Sequence, residues 1–352
     1  MFDTIKYSGI ITKSKALRAR LISDEEYRHI LSMSNVSEII AYLREHPGYK
    51  PIFQYAEDNI SHRGQLELLL DYSLYHDYLK LYRFADAKQR KLLKLFSKKI
   101  EAALIKAALR AVYSGGKIPK YTSMLDFVNK HSKVNFEALY NSKSPKDFIN
   151  ALADTSYYPL VCNLDLDAPN AMFMLESTID IAYFSTIWKL REKTIKGSSL
   201  ELMSDIVGSE MDLLNITWLY RCKKYYRVDN NRLYGFIIPH NYRLKKSDLS
   251  ALIEASSVTD FLEVLKKTAY YSGKHPFDID NPEKGFYRFL FNAYKDKIKN
   301  APISMAPVMD FLYRKEVEID LLTTIIECVR YDVSSADTVS YLDRYDKSSI
   351  IK

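Results

Sequence analysis

Seven histidines, at 29, 46, 62, 76, 131, 240 and 275, are the residues of this chain best suited to hold a metal or move a proton. No two of them make an H-x-x-x-H pair, and none has a cysteine at ligand spacing. A helix-borne zinc site needs such spacing, because only residues about one turn apart share a face. They read as solvated or capping histidines. Asp165-Leu-Asp167 and Asp278-Ile-Asp280-Asn281 resemble fragments of a calcium loop, but neither has both the glycine at position six and the glutamate at position twelve that such a loop requires. Both read as turns leading into helices. The glycine patterns of a phosphate loop, a dinucleotide fold and a nucleophile elbow are absent, and Ser114-Gly-Gly-Lys117 is a single loop with one lysine. The expectation is a noncatalytic chain with no cofactor and no metal.

Two cationic stretches remain. Arg221, Lys223, Lys224 and Arg227 are interleaved with Tyr220, Tyr225 and Tyr226. Cations at a helix C-terminus complement its dipole, and tyrosines bury rings while wetting hydroxyls, so helix physics alone accounts for this composition. The same four cations are the candidate contacts for an acidic partner. The second stretch is Lys88, Arg90, Lys91, Lys94, Lys98 and Lys99, with Leu92-Leu93 and Leu95-Phe96 between. It reads as an amphipathic helix whose charged face is either solvated or turned toward anionic headgroups.

The elements that must carry these residues recur three times. The segments beginning Asn35-Val-Ser-Glu38, Ser144-Pro-Lys-Asp147 and Ser257-Val-Thr-Asp260 follow one pattern, and offsets of 109 and 113 carry Ile39 to Phe148 to Phe261. The same offsets relate Tyr49, Tyr158 and Tyr271. Each repeat predicts a short helix (24–32, 135–140, 248–254), then a helix opened by an Asn or Ser cap with an acid three places on. A long amphipathic helix follows, and a second long helix closes the repeat at 97–113, 209–226 or 314–331. Within the closing helices Glu101 and Arg110 match Asp212 and Arg221, and Cys222 matches Cys328. Ser-Gly-Gly at 114–116 marks one boundary, and the segment 227–243 marks another with room for a short extended stretch. The expectation is an all-α protein of three similar helical domains, 1–116, 117–228 and 229–352, in a pseudo-threefold arrangement.

Composition agrees. Ten glycines and eleven prolines in 352 residues are too few for a turn-rich β protein, and 27% charged residues with 47% hydrophobic ones support a buried helical core. Three cysteines without a CxxC pair exclude a disulfide framework and fit a reducing compartment. No run approaches the ~18 apolar residues of a membrane span, and the N-terminus lacks the apolar core of a signal peptide. The net charge of +7 suits an acidic protein or an anionic surface better than nucleic acid.

Three stretches carry a family resemblance: Ala16-Leu-Arg-Ala-Arg-Leu-Ile-Ser-Asp24, the run from Glu210 to Tyr226, and Tyr313-Arg-Lys-Glu-Val-Glu-Ile-Asp320 continuing to Arg330-Tyr331. Through them the chain resembles the C subunits of bacterial and archaeal V/A-type rotary ATPases, which are the counterparts of the V-ATPase d subunit. The first repeat departs from the family pattern, with Glu101-Ala-Ala-Leu-Ile-Lys-Ala-Ala-Leu-Arg110 where an Asn is usual. The resemblance implies a funnel of three helical domains at the cytoplasmic face of the membrane. Its narrow end would sit on the membrane proteolipid ring and its open end would receive the central rotor shaft. Such a socket takes no nucleotide, no small-molecule substrate and no nucleic acid, and it supports proton or sodium transport without moving the ion. The alternative that the repeats leave open is a helical scaffold for another cytosolic protein.

Overall fold

The computed structural model describes residues 2–53, 63–115, 122–168, 171–226, 229–342 and 345, and among these every regular element is a helix. The first repeat holds α1 (Phe2–Arg18), α2 (Asp24–Leu31), α3 (Val36–Glu45), α4 (Lys50–Phe53), α5 (Arg63–Phe84) and α6 (Ala87–Ser114). The second holds α7 (Thr122–His131), α8 (Phe136–Tyr140), α9 (Pro145–Ala151), α10 (Tyr158–Val161), α11 (Ala171–Thr194) and α12 (Ser198–Arg221), which runs on into a π-helical turn, Cys222–Tyr226. The third holds α13 (Asn230–Leu233), α14 (Lys246–Glu254), α15 (Val258–Lys266), α16 (Pro282–Asn300), α17 (Ala306–Arg330) and α18 (Ser335–Leu342). The order of short and long helices thus recurs, as the sequence pattern requires.

Local chemistry sets the helix starts. Asn35 Oδ1, Ser144 Oγ and Ser257 Oγ each accept the N–H three residues on, at 3.0, 3.1 and 3.0 Å. The acidic partners reach back differently from the simple reciprocal box. Glu38 accepts from the N–H of Ser34 and Asp147 from that of Lys143, one residue before the cap, while Asp260 accepts from the hydroxyls of Ser256 and Ser257. In both forms a carboxylate sits at the positive end of the helix. Gly115 ends α6 in the left-handed conformation at φ 66°, where a side chain would be strained.

The three closing helices are longer than periodicity predicts, starting at Ala87, Ser198 and Ala306 rather than at 97, 209 and 314. Ser97 lies inside α6, its hydroxyl turned back onto the Lys94 carbonyl. Gly208 lies inside α12, where the ring of Tyr242 lies against its Cα and a methyl group would collide. The segment 234–245 holds no strand. Ile238 exchanges two hydrogen bonds with the Asn215 side chain, at 2.8 and 3.1 Å, so an amide group of α12 takes the place of a ladder partner. Residues 227 and 228 at the start of that boundary lie outside the described residues.

The chain divides into two compact units, one of residues 55–195 and one of residues 1–54 with 196–352. These limits fall elsewhere than the repeat boundaries at 116 and 228, because the front of each repeat packs on a closing helix from another. Within 55–195, α6 is the central rod, with α11 along it and α8 and α9 against it. Phe148 and Leu152 from this layer are fully buried, each contributing about 1.5–3 kcal/mol. Within the other unit α12 packs along α16 and against α14, while α17 packs against α1 and α3. Cys222 and Cys328 are both buried and reduced, as their equivalence predicts. No described helix is long and apolar enough to cross a membrane.

Candidate functional site

Each closing helix buries one carboxylate at the same repeat position, and each carboxylate meets a buried tyrosine. In the 55–195 unit the Tyr157 hydroxyl donates to Glu101 at 3.1 Å, and Lys98 reaches the other Glu101 oxygen at 2.7 Å. In the second unit the Tyr270 hydroxyl donates to Asp212 at 2.8 Å, and the Tyr49 hydroxyl donates to Glu318 at 2.7 Å. Glu318 also accepts from Lys315 at 2.7 Å and from the N–H of Ile22 at 2.6 Å. The Lys315 ammonium stands 3.6 Å over the Tyr49 ring, so a fully buried cation is held by a carboxylate and a π face together.

These pairs follow a cyclic order. Tyr157, in the second repeat, docks on the closing helix of the first. Tyr270, in the third, docks on that of the second, and Tyr49, in the first, docks on that of the third. The gapless offsets placed Tyr49, Tyr158 and Tyr271 in register. The buried donors are instead Tyr157 and Tyr270, one place earlier, and Tyr271 is 39% exposed. The aromatic pair hid the slip, since either tyrosine satisfies a pattern that counts only residue type. The carboxylates themselves were legible as repeat equivalents, but their burial was not.

The three joints differ in how charge is met. Glu101 and Glu318 have a lysine three residues back, whereas Asp212 has Ser209 there. Asp212 takes the N–H groups of Tyr242, Arg243 and Leu244 instead, at 3.2, 2.7 and 2.8 Å. Burial pushes its carboxyl up to about 6 against the pull of those donors. Burial, then the nearby Asp212 charge, holds the Tyr270 hydroxyl well above the ordinary phenol range.

A second contact recurs between a closing helix and the first long helix of the next repeat. Arg110 of α6 pairs with Glu176 of α11 at 2.5 Å, and Arg221 of α12 pairs with Glu283 of α16 at 2.6 Å. Arg221, a candidate partner contact, therefore holds two helices together. Lys223 is likewise committed: its ammonium donates to the carbonyls of Ile253 and Ala255 at 2.6 and 2.7 Å, closing the C-terminus of α14. Burial lowers its pKa, with Glu254 opposing. Lys224 is exposed. It donates to the Tyr220 hydroxyl at 3.0 Å and stands 5.1 Å from the rings of Tyr220 and Tyr225. Its hydrogen bonds to those tyrosines, Tyr220 first, raise its pKa. Arg227 lies outside the described residues.

The surface left by this sorting is aromatic. Tyr225 and Tyr226 are 61% and 69% exposed on the π-helical turn, and Tyr331, at the end of α17, is 68% exposed. A π turn adds a residue to the last winding of a helix and swings out side chains that a regular end would keep against the body. The periodicity of α12 gave no sign of it.

Comparison with known proteins places this architecture. A family model described as "ATP synthase (C/AC39) subunit" matches residues 10–341. The chain is similar to the A-type ATP synthase C subunit of Methanosarcina acetivorans, at 22% identity over 337 residues, 94% of this chain and 91% of that one. It is similar to the C subunit of the Methanosarcina barkeri A-type ATP synthase at 24% identity, over 92% of this chain and 88% of that one. The corresponding protein of Methanocaldococcus jannaschii is 20% identical over 93% of this chain and 84% of its own length.

Proposed function

As the chain belongs to the ATP synthase (C/AC39) subunit family, we propose that it is the noncatalytic socket of a rotary ATPase, joining the central shaft to the membrane proteolipid ring. In this reading it is seated peripherally at the cytoplasmic side of the membrane complex. The observation that carries this reading is the cyclic order of the tyrosine–carboxylate joints, in which the first repeat docks on the last. A linear scaffold would leave its first and last repeats with free faces. Transmission of torque requires stiff contacts between repeats, and buried hydrogen bonds to charged groups, each contributing about 1.5–3 kcal/mol, supply them.

Lys224, with Tyr225 and Tyr226, is the partner contact in this reading, while Arg221 and Lys223 serve the fold. Affinity purification of the tagged chain from native membranes tests both points. A proteolipid and a coiled-coil stalk protein are expected to co-purify, and Lys224→Glu is expected to lower their recovery without changing the far-UV circular dichroism of the chain. Recovery of neither with the wild type would end the socket reading, and recovery of some other cytosolic protein in their place would favour a scaffold.

A further inference from the structure

The N-terminal end of α6 carries charge of the sign that a helix start disfavours. Its first turn contains no acid and holds Lys88 and Arg90 at the positive end of the helix dipole. Arg90 has an internal task, since its guanidinium donates to the carbonyls of Tyr82 and Arg83 at 3.1 and 3.3 Å and closes α5. Lys88, Lys91 and Lys94 have none. Spaced three apart, they line one exposed face, and among the described residues no side-chain hydrogen bond or ion pair holds any of them. Lys88 sits unfavourably in the first turn of the helix, and none of the three lysines returns anything to the fold.

The neighbouring element adds to the same field. α7 brings its C-terminus alongside through a stack of Tyr82, Phe127 and His131, with ring centroids 4.9 Å and 4.7 Å apart along the stack. Burial, then the charges of Lys94, Lys130 and Lys98, lowers the pKa of His131. Two of the acids nearby are already engaged, and a third shares a helix face with Lys130 alone among these lysines. Asp86 caps α6, Glu101 is buried with Lys98, and Asp126 lies one turn before Lys130 on α7.

The shape of the patch is that of a tip. α5 and α6 are joined by only Ala85 and Asp86, so Arg83, Phe84 and Lys88 stand at the apex of a helical hairpin. Phe84 is 58% exposed there, while Ala85 beside it is buried. An aromatic ring flanked by exposed cations on a convex end suits a planar anionic layer, with phosphates meeting the ammonium groups and the ring entering between headgroups. An acidic protein segment would be better served by a groove than by an apex.

We propose that the α5–α6 tip, with Phe84 flanked by Arg83, Lys88, Lys91, Lys94 and Lys130, is a binding surface for anionic lipid headgroups. The proposal goes beyond the socket reading and does not depend on it, because it concerns the chain by itself and a bilayer free of other proteins. The test is co-sedimentation of the purified full-length chain with vesicles of phosphatidylcholine alone or with a fraction of phosphatidylglycerol. Binding is expected only to the anionic vesicles, falling as salt rises. Each lysine near such a surface contributes about a fivefold gain in partitioning, so Lys88→Gln, Lys91→Gln and Lys94→Gln combined are expected to weaken binding on the order of 100-fold. Phe84→Ala is expected to lower binding with no change in the salt slope. The triple variant is expected to melt at or above the wild-type temperature, since neutral side chains at a helix N-terminus remove repulsion; a lower melting temperature would assign the lysines to the fold and overturn the proposal. Equal binding of wild type and triple variant to anionic vesicles would overturn it, and so would failure to bind them while polyglutamate binds.

Discussion

Lys315 is an extreme case of a buried charge in this chain, with side-chain exposure of 1% beside Glu318 at 4%. Removing one partner of such a pair strands the other without water. Lys315→Met is expected to cost about 3–5 kcal/mol in urea unfolding, and Lys315→Met with Glu318→Gln together to recover much of it. If the single and double variants lose the same amount, the pair does not act as a unit. His76 carries a different lesson. Burial, then the charge of Lys80, depresses its imidazole to about 4. Its folded value lies below the unfolded value near 6.5, so the folded state favours the neutral ring. The stability it contributes is present above pH 6.5 and is lost as pH falls toward 4. Because the ring is only partly buried, the loss is about 1–2 kcal/mol rather than the full linkage value. His76→Gln is expected to flatten this part of the stability–pH curve, measured as the difference from wild type between pH 7 and 4.5. An unchanged difference across that range would remove His76 from the account.

Among the elements, caps were the most legible and closing-helix starts the least. An Asn or Ser with an acid three places on needs only local geometry, and α3, α9 and α15 begin where that signal stands. The starts of α6, α12 and α17 depend on partners far along the chain, such as Tyr242 over Gly208, which no local pattern carries. Helix ends show the same division. The C-terminus of α14 is closed by Lys223 from outside the helix, through carbonyls 30 and 32 residues away. Lys223→Met is therefore expected to destabilise the chain by about 1–3 kcal/mol, whereas Lys224→Glu leaves stability unchanged. The two lysines read alike in sequence, as part of one cluster with Arg221 and Arg227. A denaturation midpoint common to both variants would mean that the two lysines play the same part after all.

For the molecule as a whole, the helical class was written in hydrophobic period, capping residues and a shortage of glycine. The pairing of repeats was not, because a repeat pattern shows what is alike and not which copy touches which. That information lies in Glu101, Asp212 and Glu318, buried acids whose partners come from other repeats. Sequence alone shows such residues as ordinary charged positions on amphipathic helices.

The Tyr49–Glu318 contact joins residues 269 positions apart. During synthesis α1 and α3 are made well before α17, the helix they pack against. Until then Leu17, Ile39 and Leu43, buried in the finished protein on α1 and α3, lack that helix beside them. These helices are thus a waiting segment, and a nascent chain stalled between them and α17 is a natural client for a chaperone.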